Sequence, residues 1–161
     1  MNTVTIREIQ KGDDAEIAQL IRTVLIEFNV PKIGTAYADP QLDCMFETYA
    51  GPKSIYFVIE AGGKLIGGAG ISHLVNEAET VCELQKMYFL PEARGKGLGT
   101  QIMESCLDAA KASGYEKCYL ETMPYMEAAQ KLYKRSGFAY ILKPMGNTGH
   151  TSCPVWMIKE L

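Results

Sequence analysis

Between Leu90 and Thr100 the chain reads L-P-E-A-R-G-K-G-L-G-T, between an apolar run, C-E-L-Q-K-M-Y-F-L, and a helical one, L-G-T-Q-I-M-E-S-C-L-D-A-A-K-A. This commits the middle of the chain to a strand, a glycine loop and a helix opened by that loop. Such a junction turns small-residue backbone N–H groups toward an anion, and the helix N-terminus adds partial positive charge. The stretch therefore limits both the fold and the ligand.

The remaining punctuation places further elements around this unit. Val4 to Ile9 alternates apolar and polar residues and predicts a strand. Asp13 or Asp14 can cap a helix whose apolar positions run from Ile17 to Phe28 at helical spacing. Asp39-Pro40 supplies an N-cap with proline at the first helical position, predicting a second short helix through about Tyr49. Ser54 to Ala61 and K-L-I-G-G-A-G-I-S read as a hairpin turned at Gly62-Gly63, and Thr80 to Leu90 as the next strand, turned near Asn76. After the loop come a helix stopped at Gly114, the strand Y-E-K-C-Y-L-E, the helix E-A-A-Q-K-L-Y-K-R stopped at Gly137, and the strands F-A-Y-I-L and P-V-W-M-I-K-E-L. The order β-α-α-β-β-β-α-β-α-β-β predicts an α/β (α+β) chain. It has one mixed, mostly antiparallel sheet of about seven strands flanked by helices, and residues 1–161 form a single domain.

Composition narrows the function classes. A net charge of −3 gives no global attraction to nucleic acid. No apolar run approaches the roughly 20 residues that span a bilayer, and no signal-peptide pattern opens the chain. The five cysteines are widely spaced with no C-x-x-C, which argues against a disulfide framework or a zinc site. The expectation is a cytoplasmic protein with reduced thiols, no metal, no nucleic acid and no membrane partner.

The anion loop admits three readings. A Walker loop needs Lys and Ser/Thr after its second glycine, whereas Lys96 sits between glycines. The dinucleotide fingerprint G-x-G-x-x-G finds its first two glycines in Gly95 and Gly97, but Thr100 stands at the third. The linker P-E-A-R also separates strand from glycine, although Glu121 falls where a ribose-binding acid is expected. The third reading is a pyrophosphate cradle, R-x-x-G-x-G, on Arg94, Gly97 and Gly99. Here the sequence resembles the GNAT superfamily of acyl-CoA-dependent N-acyltransferases, whose signature is [Q/R]-x-x-G-x-[G/A] after a strand ending in an apolar residue and proline. The resemblance extends to C-E-L-Q-K-M-Y-F-L-P upstream and A-A-Q-K-L-Y-K-R-S-G-F downstream, so it is specific over Thr80 to Phe138 and architectural elsewhere.

The resemblance implies that acetyl-CoA lies where the parallel strands at 80–90 and 115–121 splay apart. Its pantetheine arm would pair with the backbone at Met87, Tyr88 and Phe89, with an N–H near Met87 on the thioester carbonyl. Its pyrophosphate would sit on Gly95, Lys96, Gly97, Leu98, Gly99 and Thr100, beside Arg94. Glu83, sharing a face with Gln85 and Met87 on a two-residue period, is the candidate general base, and Tyr133, from A-x-x-L-Y, the candidate general acid. Many members carry an asparagine where this chain has Met126, and a thioether cannot replace an amide's donors. His73 reads as structural and His150 as a loop residue bordering the acceptor pocket, while Cys82 and Cys153 have no thiol-enzyme pattern. Acceptor specificity is expected from Phe28, Tyr37, Asp39 and Asp43.

The function implied is acetyl transfer from acetyl-CoA to a primary amine by direct attack in a ternary complex. The alternatives are a non-catalytic acyl-CoA sensor on the same fold and a dinucleotide oxidoreductase. A homodimer is the commonest expectation for assembly.

Overall fold

The turn residues set the sheet's register. In the computed structural model, which describes residues 3–161, Gly62 and Gly63 both adopt left-handed φ, 58° and 80°, as a two-residue hairpin turn requires. They join strands β2 (Ile55–Ala61) and β3 (Lys64–His73), and β1 (Val4–Glu8) pairs antiparallel on the far side of β2. Strand β4 (Val81–Phe89) follows β3 through a turn in which Asn76 takes φ 65°. His73 Nε2 lies 3.0 Å from Glu77 O and 3.2 Å from Ala78 O, within that turn.

The sheet is covered by the helices α1 (Asp14–Glu27), α2 (Met45–Thr48), α3 (Leu98–Ala112) and α4 (Glu127–Arg135). The other strands are β5 (Lys117–Thr122), β6 (Ala139–Ile141) and β7 (Val155–Glu160), and the seven-stranded order is β1-β2-β3-β4-β5-β7-β6. Among the described residues only β4 and β5 pair in parallel; the last strand enters antiparallel between β5 and β6. The apolar stripe of α1 packs with Tyr49, Tyr56 and Leu65 on one sheet face, and that of α3 with Ile59, Leu84 and Leu120 on the other.

Two local expectations are corrected. Asp13 occupies the position before α1, but its carboxylate accepts from Arg7 at 2.8 and 3.0 Å and from the Gln10 N–H, so it ties β1 to the turn before α1 and caps no N–H of α1, while Asp14 accepts from the Phe46 N–H at 2.9 Å. Asp39 does cap, accepting from the Gln41 N–H at 2.9 Å. The helix it opens is a single 3-10 turn over Pro40–Asp43, broken at Cys44 before α2.

Two features of β4 position everything that follows. Its register against β3 jumps from Gly70↔Gln85 to Gly68↔Tyr88, so Lys86 and Met87 together oppose Ala69. This is a β-bulge, with Lys86 at φ 51°. Its parallel pairing with β5 covers only Val81, Cys82 and Glu83. Beyond Glu83 the two strands part, giving the splayed pair.

Candidate active site

The bulge is built by residues remote in sequence. A Cβ on Gly68 would lie 2.6 Å from the Tyr56 hydroxyl oxygen, and one on Gly70 would lie 2.6 Å from both Ile55 O and a Tyr56 ring carbon. The glycines of G-G-A-G thus make room for Tyr56, whose hydroxyl donates to Lys86 O at 2.7 Å. That bond satisfies the carbonyl the bulge removes from the ladder.

The bulge also corrects the face assignment. Cys82, Leu84 and Met87 all lie in the core under α3, while Tyr88 packs on the α1 side. Met87 therefore faces away from Glu83, because the inserted residue shifts the two-residue period. Gln85 does share Glu83's surroundings: its Nε2 donates to Glu83 Oε1 at 2.6 Å, and Tyr49 Oη donates to Gln85 Oε1 at 2.6 Å.

Two cavities, of about 440 and 460 Å³, meet at the splay and share Met87, Tyr88, Met126 and Tyr133 as walls. The second holds the glycine loop: Phe89, Arg94, Gly95, Gly97, Gly99 and Thr100 line it, with Phe28 opposite. Gly95 and Gly97 adopt φ of 72° and 77°, yet a Cβ on either would meet nothing within 4 Å. Glycine is required there for backbone direction, not for space. No side chain caps α3, and its first internal bond runs from Gln101 N–H to Gly97 O, so the N–H groups of the first turn have no intrahelical acceptor. This is the donor set a phosphate needs.

The side chains of three loop residues differ in their surroundings. Leu98 is 6% exposed and its side chain is core. Lys96 is exposed and lines neither cavity. The Arg94 guanidinium is held by Glu27 at 2.7 and 2.9 Å and by Phe89 O at 2.8 and 3.1 Å, 5.1 Å over the Phe28 ring. It clamps the loop to α1.

The first cavity is the polar one. Glu83, 6% exposed, lies where the β4–β5 pairing ends, and burial pushes its carboxyl up to about 7 although the Gln85 amide favours the ionised form. Glu121, near the end of β5, accepts from Tyr119 Oη and Thr148 Oγ1, each at 2.6 Å; burial raises its carboxyl as well. His150 completes the group. The ligand atoms of Glu83, Glu121 and His150 lie within 4.8 Å of one another, a spacing from which a small cation could draw ligands. Burial, with the nearby Lys86, lowers the His150 pKa and so favours the neutral ring.

The loop carrying His150 is fastened over this cavity by Asn147 N–H to Val75 O (2.7 Å) and Ser152 N–H to Gly34 O (3.1 Å). Lys86 enters from the bulge, its Nζ 3.3 Å from Asp39 Oδ2. Neither Lys86 nor Glu121 stands out as an acceptor-site residue in the sequence: the first depends on a bulge, the second on the splay. Of the expected acceptor residues, Asp39 lines this cavity, Phe28 lines the other, Asp43 pairs with Arg22 at 2.7 and 3.1 Å, and Tyr37 lies under Lys32 and Arg22.

Tyr133 is 6% exposed and reaches the seam of both cavities from α4, and burial holds its phenol above the ordinary range. Met126, at the N-cap position of α4, offers no capping bond. Cys82 is fully buried. Cys153 lines the first cavity, where burial and the nearby carboxylates raise its thiol to about 11.

Comparison with known proteins adds independent findings. Residues 20–138 match the model of the acetyltransferase (GNAT) family. The chain is 40% identical over 156 residues to the protein named uncharacterized N-acetyltransferase YjgM of Escherichia coli (strain K12), covering 96% of this chain and 93% of that one. An acetyltransferase of the GNAT family from Staphylococcus aureus Mu50 superposes with a TM-score of 0.87 at 18% identity, over 99% of both chains. The structure of yncA from Salmonella typhimurium with its cofactor acetyl-CoA gives a TM-score of 0.78 at 21% identity, over 99% of this chain and 95% of that one.

Proposed function

Since the chain belongs to the GNAT family of acetyltransferases and is an acyl-CoA-dependent N-acetyltransferase, we propose that the acetyl group moves by direct attack in a ternary complex. Acetyl-CoA takes the cavity with the glycine loop and the amine takes the polar one. The observation that carries this reading is the seam, where two cavities meet at Met87, Tyr88, Met126 and Tyr133. Glu83 lines the acceptor side of it with a carboxyl raised to about 7.

The chemistry follows from what these groups can hold. An ammonium must lose a proton before attack, and a carboxylate with a pKa near neutrality both accepts that proton and is ionised often enough to do so. Nitrogen then bonds to the thioester carbonyl carbon, and the carbon–sulfur bond breaks. Tyr133, protonated throughout the physiological range, supplies the proton that the departing thiolate takes. The N–H groups of Gly95 to Thr100 hold the pyrophosphate, and the unpaired edge of β4 beyond Glu83 receives the pantetheine arm. Arg94 acts through its clamp on Glu27, and Lys96 serves as a screened surface charge.

The family match sets the dinucleotide reading aside. We place the protein in the cytoplasm as one domain spanning 1–161, with a homodimer as its expected assembly and no metal required by these steps. No helix among the described residues is long and apolar enough to cross a membrane. A release assay for the CoA thiol over an amine library tests the function. The reading expects release that depends on both acetyl-CoA and acceptor; tight CoA binding without acceptor-stimulated release would favour a sensor.

A further inference from the structure

Lys86 has no role in the transfer steps, yet several costly features converge on it. Its side chain is 4% exposed, and few lysines are buried unless paired. Its backbone adopts φ 51°, a conformation that costs a non-glycine residue stability. Two glycines and the Tyr56 hydroxyl maintain the bulge that holds it. A bulge re-aims a side chain, and this one turns Lys86 into the acceptor cavity.

The ammonium is only partly partnered. It has three donors. Among the described residues its one ionic partner is Asp39 Oδ2, at 3.3 Å, with the Tyr49 ring at 5.9 Å. Asp39 divides its carboxylate between this contact and the Gln41 N–H. At least two of the lysine's donors are left for whatever enters the cavity.

We propose that Lys86 determines acceptor specificity, selecting small acceptors of the amino-acid class whose carboxylate it binds while the amine meets Glu83. This rests on the transfer reading above and names its substrate class. The cavity, about 440 Å³, is within the range of small-molecule sites. Away from Tyr88 and Tyr133 at the seam it has no Phe, Trp or further Tyr in its walls, so the end where Lys86 enters offers no aromatic stacking surface. A polyamine's second cation would lie in the same cavity as a buried ammonium, and the remaining carboxylate, Glu121, already accepts from Tyr119 and Thr148. A zwitterion meets a carboxylate with its amine and an ammonium with its carboxylate.

The test compares amino acids with their carboxamides, with kcat/KM referred to the unprotonated amine so that the amide's more acidic ammonium gives no advantage. The unaltered enzyme is expected to favour the acid by about 10- to 100-fold, the range of a charged hydrogen bond. Lys86→Met should bring acid and amide to within about threefold, and Lys86→Arg should keep part of the preference. Equal rates for acid and amide in the unaltered enzyme would overturn the inference and leave acetyl transfer standing, and this arm requires no variant to fold. An undiminished preference in Lys86→Met would overturn it too. Absence of acceptor-stimulated thiol release from every compound would overturn the transfer reading and this one together.

Discussion

Glu83 carries opposite consequences for rate and for stability. Its carboxyl is raised from an ordinary 4.5 to about 7, chiefly by burial, so folding favours the protonated form. Below about 4.5 the group is neutral in both folded and unfolded chains and costs nothing. Between about 4.5 and about 7 the unfolded chain ionises while the folded one stays protonated, so stability falls across that window and levels off above it. Glu83→Gln keeps the contact with Gln85 and removes the charge. It should therefore stabilise the protein by about 3 kcal/mol at pH 8 and by much less at pH 5, read from denaturant melts. The same variant should lose about 10²- to 10⁴-fold in turnover. Undiminished turnover at neutral pH would remove Glu83 from the mechanism. Tyr133→Phe should lower kcat while leaving the Kd for acetyl-CoA, measured by calorimetry, within about threefold; the reverse pattern would make Tyr133 a wall of the pocket only.

Among the elements, β4 bears most of the design, and its bulge is where stability and site architecture are coupled. Gly68→Ala would put a Cβ 2.6 Å from the Tyr56 hydroxyl oxygen, and overpacking of that kind costs about 1–3 kcal/mol. Tyr56→Phe should cost about 1–3 kcal/mol by leaving Lys86 O unsatisfied. Equilibrium denaturation checks both, and losses below about 0.5 kcal/mol would show the bulge to be held by other contacts. Gly97→Ala differs in kind, since its φ is 77° but a Cβ would meet nothing; it should weaken acetyl-CoA binding more than it weakens the fold. The loop and the element order were legible in the sequence because turns, caps and periodicity are local signals. The bulge was not. Gln85-Lys86-Met87 carries no glycine or proline to mark it, so the two-residue period puts Met87 on the face of Glu83, whereas it lies on the other.

On the scale of the whole molecule, the splay brings distant segments to one seam. The α1 helix lines both cavities, through Leu25 for one and through Val24 for the other, which Phe28 just past its end also lines. The loop after β6 brings His150 and Cys153, late in sequence, to Glu83 and Asp39. No local pattern announces those juxtapositions, which explains why the glycine loop is readable in the sequence and the polar cavity is not. The arrangement also frames the main mechanistic rival. Cys153 lines the acceptor cavity and could in principle carry the acetyl group, but its thiol is raised to about 11, leaving little thiolate at neutral pH. The direct measurement is intact-protein mass after mixing with acetyl-CoA alone, followed by addition of a reactive acceptor. Direct attack predicts an unmodified protein, with thiol released only once the acceptor is present. An acetylated protein formed without acceptor, at Cys153 or elsewhere, and discharged by the amine would contradict it.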